Sequence, residues 1–241
     1  MKRSTLITWC CWFFAAAVGT ALAGENDDTV QQLNLVKYVP PEFPPVLQVE
    51  GVPSGIVVLA IGRDSQGVPQ DLLVLESTHP AMTEAALNAV RQWRFAPQND
   101  GVTAGPRPVL VRLSFSIHGV VLIYSSAGKE LTAEEAIERN QPIKVKSAAS
   151  LADKPRALHQ PMPGYPAQLA GRDLEGEARV EFYIDGDGRV RLPHVTEATT
   201  SEFGDAAVAA VSQWRYEPPR DHGQPAVVAD NWVFRFSRRP E

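Results

Sequence analysis

The chain has 241 residues with 23 basic and 28 acidic side chains, which gives a formal net charge of −5 at pH 7. This length is enough for one large domain or two small ones, each with a modest core. The acidic balance and the lack of basic clusters argue against nucleic acid and anionic lipid as main partners.

The first 23 residues have the pattern of a secretory signal peptide, in which two basic residues and an apolar run precede Ala-Leu-Ala at residues 21–23. We predict cleavage after Ala23. The alternative is an uncleaved membrane anchor, because residues 6–23 are just long enough to cross a bilayer. Both cysteines, Cys10 and Cys11, lie in this run. The cleaved chain would therefore have no disulfide and no cysteine ligand or nucleophile.

One segment of the chain occurs twice, since Gly55 to Pro97 aligns without a gap with Gly176 to Pro218 at a constant offset of 121 residues. In each copy the apolar period is two, then 3.6, then two again, which predicts strand, strand, helix and strand. The predicted helix stripes, each ending in a core tryptophan, are Met82, Ala85, Ala86, Ala89, Val90 and Trp93, and Phe203, Ala206, Ala207, Ala210, Val211 and Trp214. We predict an α+β fold with two tandem domains, each a three-stranded antiparallel sheet covered by a helix.

These patterns divide the chain into a signal peptide at 1–23, a first domain at 38–125, a linker at 126–156 and a second domain at 157–238. The apolar run GVVLIY after the first copy is expected to extend the first sheet or to pair back on it. Thr132 and Glu135 form a candidate capping box for a short linker helix. The Ser/Ala/Lys-rich end of the linker, residues 144–156, is typical of a flexible segment.

The stretch YIDGDGRV, residues 183–190, begins like a calcium loop. At the matching positions the first copy keeps Asp64 and Gly67 but has Gln66 in place of the second aspartate. Both copies thus share Asp-x-x-Gly, the chemistry of a tight turn between strands. A calcium loop would also need a glutamate at its twelfth position, where Thr196 stands. We predict a hairpin turn and no metal.

The histidines do not form a catalytic or metal-binding arrangement in the sequence. They are His79, His118, His159, His194 and His222. None has a His, Cys or carboxylate partner at metal-ligand spacing, and the chain has no Gly-x-Ser-x-Gly motif or phosphate loop. We predict isolated surface or turn histidines, no cofactor and no enzymatic activity. An enzyme is therefore the least favoured of three functional hypotheses.

Four motifs of the second copy resemble the C-terminal domain of TonB, the periplasmic end of an inner-membrane energy transducer. They are Tyr165-Pro166, Glu175-Gly176, Asp187-Gly188-Arg189-Val190 and Trp214-Arg215-Tyr216-Glu217-Pro218. The resemblance runs from Leu158 to Ser237. The first copy, Tyr38 to Ile117, looks like the same domain with an altered entrance. Its Phe43-Pro44 is shifted by one residue, and its PPVLQV is expected to lack the short helix that PAQLAG predicts.

The resemblance implies binding and not catalysis. In that family the third strand lies at the sheet edge and accepts an extended segment of an outer-membrane transporter, the TonB box, because an edge strand offers unpaired backbone groups. The corresponding edges here are Val227 to Phe236 and Val109 to Phe115. The candidate contact residues are Val227, Ala229, Asn231, Val233 and Arg235 in the second copy, and Val109, Val111 and Leu113 in the first. A periplasmic protein accessory to TonB-dependent transport is implied.

Four further side chains are candidate partner contacts. Ala170 stands where the family has a glutamine implicated in transporter contact, so Gln168 and Arg172 are the nearest polar substitutes. Both also fit an ordinary exposed helix face. Arg94 and Arg215 follow the two stripe tryptophans, where either a salt bridge or a partner contact is open to them.

The second hypothesis is a structural module of the cell envelope. Its edge strands would be occupied by pairing between the domains, by GVVLIY or in a homodimer, and it could touch peptidoglycan as domains of this family are suspected to do. A full transducer also has an uncleaved inner-membrane anchor and a long Pro-rich segment. Here about fourteen residues separate Ala23 from the first domain, a reach of about 50 Å.

Overall fold

The computed structural model describes residues 33–97, 107–126 and 145–237. The predicted signal peptide or anchor and the predicted capping box with its linker helix lie outside these ranges. Within them, the longest helices have eleven residues, and no helix combines the length and apolarity that a membrane crossing requires.

The first copy folds into a four-stranded antiparallel sheet with a helix on one face. Its elements are β1 (Leu35–Lys37), α1 (Pro45–Val49), β2 (Ser54–Arg63), β3 (Pro69–Ser77), α2 (Pro80–Val90), β4 (Arg94–Phe95), β5 (Val109–Ser116) and β6 (Gly119–Ser126). The strand order in the sheet is β3-β2-β5-β6. The run GVVLIY is β6, which pairs with β5 as expected, so the predicted count of three strands is wrong for this copy.

The second copy folds into a three-stranded antiparallel sheet, again with a helix on one face. Its elements are β7 (Ala157–His159), β8 (Gly176–Ile184), β9 (Val190–Ala198), α3 (Ser201–Val211), β10 (Arg215–Tyr216), β11 (Arg220–Asp221), β12 (Gln224–Pro225) and β13 (Val228–Phe236). The order β13-β8-β9 in the sheet agrees with the predicted strand, strand, helix, strand. Mixed α and β structure is therefore confirmed.

The entrance of the first copy differs from the prediction. PPVLQV contains α1, with Pro44 as N-cap and Pro45 as the first helical residue. Proline is well tolerated at that position because its missing N–H would have no helical partner and its φ already suits a helix. Leu47 of α1 is fully buried. In the second copy the matching element is only a single 3₁₀ turn, Ala167–Leu169.

The tryptophans that end the two helix stripes are core residues, as predicted. Trp93 and Trp214 are fully buried. The indole N–H of Trp93 donates to the Val39 carbonyl at 2.8 Å, and that of Trp214 donates to the Pro161 carbonyl at 2.9 Å. A buried indole needs such a partner for its N–H. Each tryptophan thus attaches the entrance segment of its copy to the core.

The Asp-x-x-Gly stretches are tight turns. Asp185 Oδ1 accepts hydrogen bonds from the N–H groups of Asp187 at 3.0 Å and Arg189 at 2.9 Å. Gly188 has φ of +79°, and an added Cβ there would lie 2.0 Å from the Tyr216 carbonyl oxygen. Both the backbone angle and the space require glycine. The prediction of a turn is confirmed, and the described residues contain no group of three potential metal ligands.

The sheet faces that point away from the helices pack against each other. The buried residues of this contact are Ala60, Leu73, Leu110 and Tyr183, with Leu75, Val145, Leu192, Val227 and Ala229 around them. The Leu192 side chain packs directly on the Gly62 backbone, since a Cβ on Gly62 would lie 2.4 Å from Leu192 Cδ2. Arg191 of β9 adds a polar contact, with its Nε 3.1 Å from Asp71 Oδ2 of β3.

The histidine prediction is wrong at one position. His118, His159 and His222 are exposed, and half-buried His79 is the N-cap of α2, where its Nδ1 accepts from the Ala81 N–H at 3.2 Å. His194, in contrast, is buried within the second sheet. Single-sequence patterns missed this because its burial depends on neighbouring strands and not on its own periodicity.

Replacing Trp214 with alanine should lower the free energy of unfolding by about 3–5 kcal/mol, because it removes a fully buried indole and leaves a cavity. Trp232→Ala is the matched control, since Trp232 is 42% exposed at the sheet edge. Urea denaturation followed by far-UV circular dichroism measures both. An equal loss in the two variants would contradict the assignment of Trp214 to the core.

Candidate functional site

Strand β13 forms one edge of the second sheet. It pairs with β8 along its whole length, from Val228 opposite Ile184 to Phe236 opposite Gly176. Within the described ranges β8 is the one strand that adjoins it in the sheet. Val228, Phe234 and Phe236 are buried on the helix side. The alternate side chains, from Ala229 to Arg235, point to the other face.

The backbone of β13 shows which groups face outward. The Ala229 N–H donates to the Lys146 carbonyl at 2.8 Å, away from β8. In an antiparallel ladder, alternate residues direct their N–H and C=O groups to the same side. Asn231, Val233 and Arg235 therefore also present their backbone groups outward. The candidate contact residues within β13 thus lie on its outer side.

The start of this edge is covered by the chain itself. Ser147 forms a parallel bridge with Ala229. Lys146 Nζ forms an ion pair with Asp221, and this contact lowers the pKa of the Asp221 carboxyl. Ala148 and Leu151 are buried in the core of the second sheet.

Two predictions about this region are therefore wrong. Residues 145–151 are not a flexible linker, because their side chains and backbone pack on the second sheet. Val227 and Ala229 are not part of an open edge. Val227 precedes β13 and packs between the sheets, and the Ala229 N–H is already bonded to Lys146.

The open part of the edge runs from Asn231 to Arg235. Its first amide, that of Asn231, donates to Asp230 Oδ1 at 2.8 Å, and burial raises the pKa of the Asp230 carboxyl. Trp232 lies in the same part on the helix side, edge-to-face with Trp214 at a ring distance of 5.5 Å. A strand added here would find backbone groups beside an exposed aromatic surface.

The predicted edge of the first copy is wrong. β5 lies inside its sheet and pairs with both β2 and β6. Val109, Val111 and Leu113 are buried. The reason is the tight connection after β5, in which the His118 N–H donates to Ser116 Oγ at 3.3 Å and the chain returns as β6. The edges of this sheet within the described ranges are β3 and β6.

The four other candidate contact residues do not form a single site with the β13 edge. Gln168 and Arg172 are exposed on the turn that follows Tyr165. Arg94 Nη1 donates to the Arg91 carbonyl at 3.2 Å, and Arg215 Nη1 donates to the Trp214 carbonyl at 2.7 Å. Both guanidinium groups are thus bonded to backbone carbonyls in the turn that follows each helix, an alternative that the sequence analysis did not include.

Lys146 and Ser147 are site residues that the sequence reasoning missed. The alternation of Ile143, Lys144, Val145 and Lys146 is a period-two signal that predicts an extended segment. The lysines and alanines around this segment favoured a linker instead. Its pairing partner, Ala229, lies more than eighty residues further along the chain, so a local pattern does not reveal the pairing.

A family model of the Gram-negative bacterial TonB protein C-terminal matches residues 39–117 and 161–236. These segments make up more than half of the chain. The protein therefore belongs to the TonB C-terminal family.

Named relatives agree with this assignment. Protein TonB of Escherichia coli (strain K12) is 36% identical over 93 residues, which are 38% of this chain and 38% of that protein. Protein TonB of Salmonella typhimurium is 33% identical over 93 residues, 38% of this chain and 37% of the relative. The chain thus spans less than two fifths of the length of these curated relatives.

Two solved structures are also similar in part. The solution NMR structure of the Pseudomonas aeruginosa TonB CTD has 28% sequence identity and a TM-score of 0.33, with 38% of this chain and 94% of that chain covered. A TonB2 protein from Vibrio anguillarum has 19% identity and a TM-score of 0.30, with 49% of this chain and 98% of that chain covered.

Lys146→Glu should release residues 145–147 from β13, because it replaces the ion pair with Asp221 by two adjacent carboxylates. We expect faster hydrogen exchange at the Ala229 amide, measured by NMR. Lys37→Glu on β1 makes the same charge change at a distant exposed position and should leave that amide unaffected. An unchanged Ala229 rate in Lys146→Glu would show that the ion pair does not hold the segment.

Proposed function

We propose that this protein captures an extended peptide segment of an outer-membrane transporter, or of another envelope protein, by adding it as a strand to β13. The protein works in the periplasm as an accessory to TonB-dependent transport. It binds without catalysis and without a cofactor. Its two copies are two tandem TonB C-terminal-like domains, at about 38–125 and 157–238, of which the second binds.

The observation that carries the proposal is the open edge from Asn231 to Arg235. Val233 and Arg235 direct backbone groups outward, and no other strand in the described ranges pairs with them. Five residues of strand are about 17 Å long, enough for a short added segment. Main-chain hydrogen bonds supply affinity in such complexes, and alternate side chains supply specificity.

The two sheets have different roles in this proposal. In the first sheet β5, the counterpart of β13, is paired with β6 on the side that is open in β13, and one face of this sheet packs on the second sheet. It therefore serves as a support that holds the second sheet, and the binding strand is β13.

A second candidate function is a structural module of the envelope. The contact between the sheet faces and the bridge from Ser147 to Ala229 favour it, because both occupy surfaces that a partner would otherwise use. In that case a homodimer or a contact with peptidoglycan would be the functional state.

The two functions separate in a pull-down of the chain without residues 1–23 against solubilised outer-membrane transporters, with a synthetic TonB-box peptide as competitor. Retention that the peptide abolishes supports strand capture. Lack of retention, together with a dimeric mass in solution, supports the structural module and overturns the proposal.

Val233→Pro should weaken peptide capture about tenfold, because it removes an outward N–H donor and adds a ring at the open edge. The ladder with β8 should persist, since the Val233 N–H does not point to β8. Val233→Thr keeps the donor and the side-chain size and is the matched control. Isothermal titration with the TonB-box peptide gives both affinities, and equal values for the two variants would exclude this edge.

A further inference from the structure

We propose that a pocket beside the open edge binds the basic side chain, lysine or arginine, of the segment added to β13. This inference rests on the proposed function and specifies the partner's chemistry. The pocket has a volume of about 210 Å³ and lies on the face of the second sheet that points away from α3. Its polar lining comes from Ser147, Glu181, Tyr183, His194, Asp230 and Asn231.

His194 supplies the first observation. Its Nδ1 lies 3.1 Å from the Leu192 carbonyl oxygen, which can only accept a hydrogen bond, so Nδ1 carries the proton. In the neutral ring Nε2 is then an acceptor. The His194 side chain is 4% exposed, and Nε2 has no hydrogen-bond partner in the described part of the protein. A buried polar atom of this kind calls for a donor.

Glu181 supplies the second acceptor. Its Oε2 lies 3.7 Å from His194 Nε2, and its side chain is 48% exposed. The contact with His194 is the main cause that lowers the pKa of the Glu181 carboxyl, which is therefore ionised at neutral pH. Two acceptors that face each other in this way are satisfied by a donor placed between them, and an ammonium or guanidinium group is a donor with the complementary charge.

After the larger effect of the His194 contact, the charges of two nearby cations also lower the pKa of Glu181. They are Arg107 and Arg179, whose hydrogen bond and ion pair in the described part of the protein are to other groups. Arg179 Nε lies 3.5 Å from Glu197 Oε2 on β9. Arg107 Nη2 donates to the Thr196 carbonyl at 3.2 Å. Within the described ranges neither arginine forms a hydrogen bond or ion pair with Glu181, so a cation of the bound segment can still make a direct contact there.

The strand register places this pocket next to the added strand. Asn231 lies opposite Glu181, and Glu181 lies opposite His194, so the three form one row across β13, β8 and β9. A strand added at β13 extends this row by one residue. Two strand spacings, about 10 Å, then separate that residue from Glu181. Lysine and arginine are the basic residues with the longest side chains, so they are the cations of an added strand that can come nearest to the Glu181 carboxylate.

The first copy shows that the fold does not require a polar row. At the offset of 121 residues the matching positions are Leu110, Ala60 and Leu73, which form the same row across β5, β2 and β3. All three are buried in the contact with the second sheet. The same place in the fold is thus apolar where it is covered and carries Asn231, Glu181 and His194 where it borders the open edge.

The test compares two peptides, acetyl-Thr-Val-Thr-Lys-Thr-Val-Thr-amide and its analogue with norleucine in place of lysine, on the chain without residues 1–23 at pH 7.5. A charge-assisted contact should make the lysine peptide bind about tenfold tighter in titration calorimetry. Glu181→Gln should remove this preference. Glu42→Gln, which alters an exposed carboxylate in the entrance segment of the first copy, should keep it.

Each outcome decides between the inference and the function on which it rests. Equal affinity for the two peptides, or binding of neither, overturns the basic-side-chain pocket, whereas the proposed function is judged by capture of the TonB-box peptide. A ¹⁵N spectrum of the free protein gives an independent readout. If His194 is doubly protonated at pH 7.5, a proton already fills the gap and the inference is wrong. A neutral ring whose Nε2 signal shifts with the lysine peptide supports it.

Discussion

Strand β2 is buried on both faces, and the rest of the architecture depends on this. Val57, Leu59 and Ile61 pack under α2, while Val58 and Ala60 on the other face are also buried, with Ala60 in the contact with the second sheet. This contact joins the two helix-covered sheets into one layered arrangement with a small apolar cluster between them. It also covers the face of the first sheet that points away from α2.

Arg191 connects this contact to the turn of the second copy. It bonds Asp71 across the sheets and lies 3.5 Å from Asp185, the aspartate that organises the turn between β8 and β9. The matching residue of the first copy, Gln70, keeps only the local contact, with its Nε2 2.8 Å from Asp64. The two copies thus share the turn chemistry, and a longer, charged side chain in the second adds the link between the sheets.

The second sheet is covered unevenly, and this defines the candidate site. The end with Tyr183 and Ala229 lies under the first sheet and the segment from Val145 to Ser147. The other end keeps an outward backbone at Val233, a polar face at Glu181 and an aromatic side chain at Trp232. A partner that joins the edge would therefore meet backbone, charge and apolar surface together, the combination that strand addition requires for both affinity and specificity.

The sequence by itself determined the elements that depend on local periodicity and turn chemistry: the repeat, the helix stripes with Trp93 and Trp214, and the Asp-x-x-Gly turns. Part of the site was also predictable, since the alternation of β13 identified Asn231, Val233 and Arg235 as one side of a strand. Tertiary structure decided that β5 is internal while β13 is an edge, that residues 145–147 cover Ala229, and that His194 is buried beside Glu181. These features depend on which distant segments pair. An apolar alternating strand has the same sequence signature whether one or two neighbours bond to it, because the ladder is made by backbone groups that every residue carries.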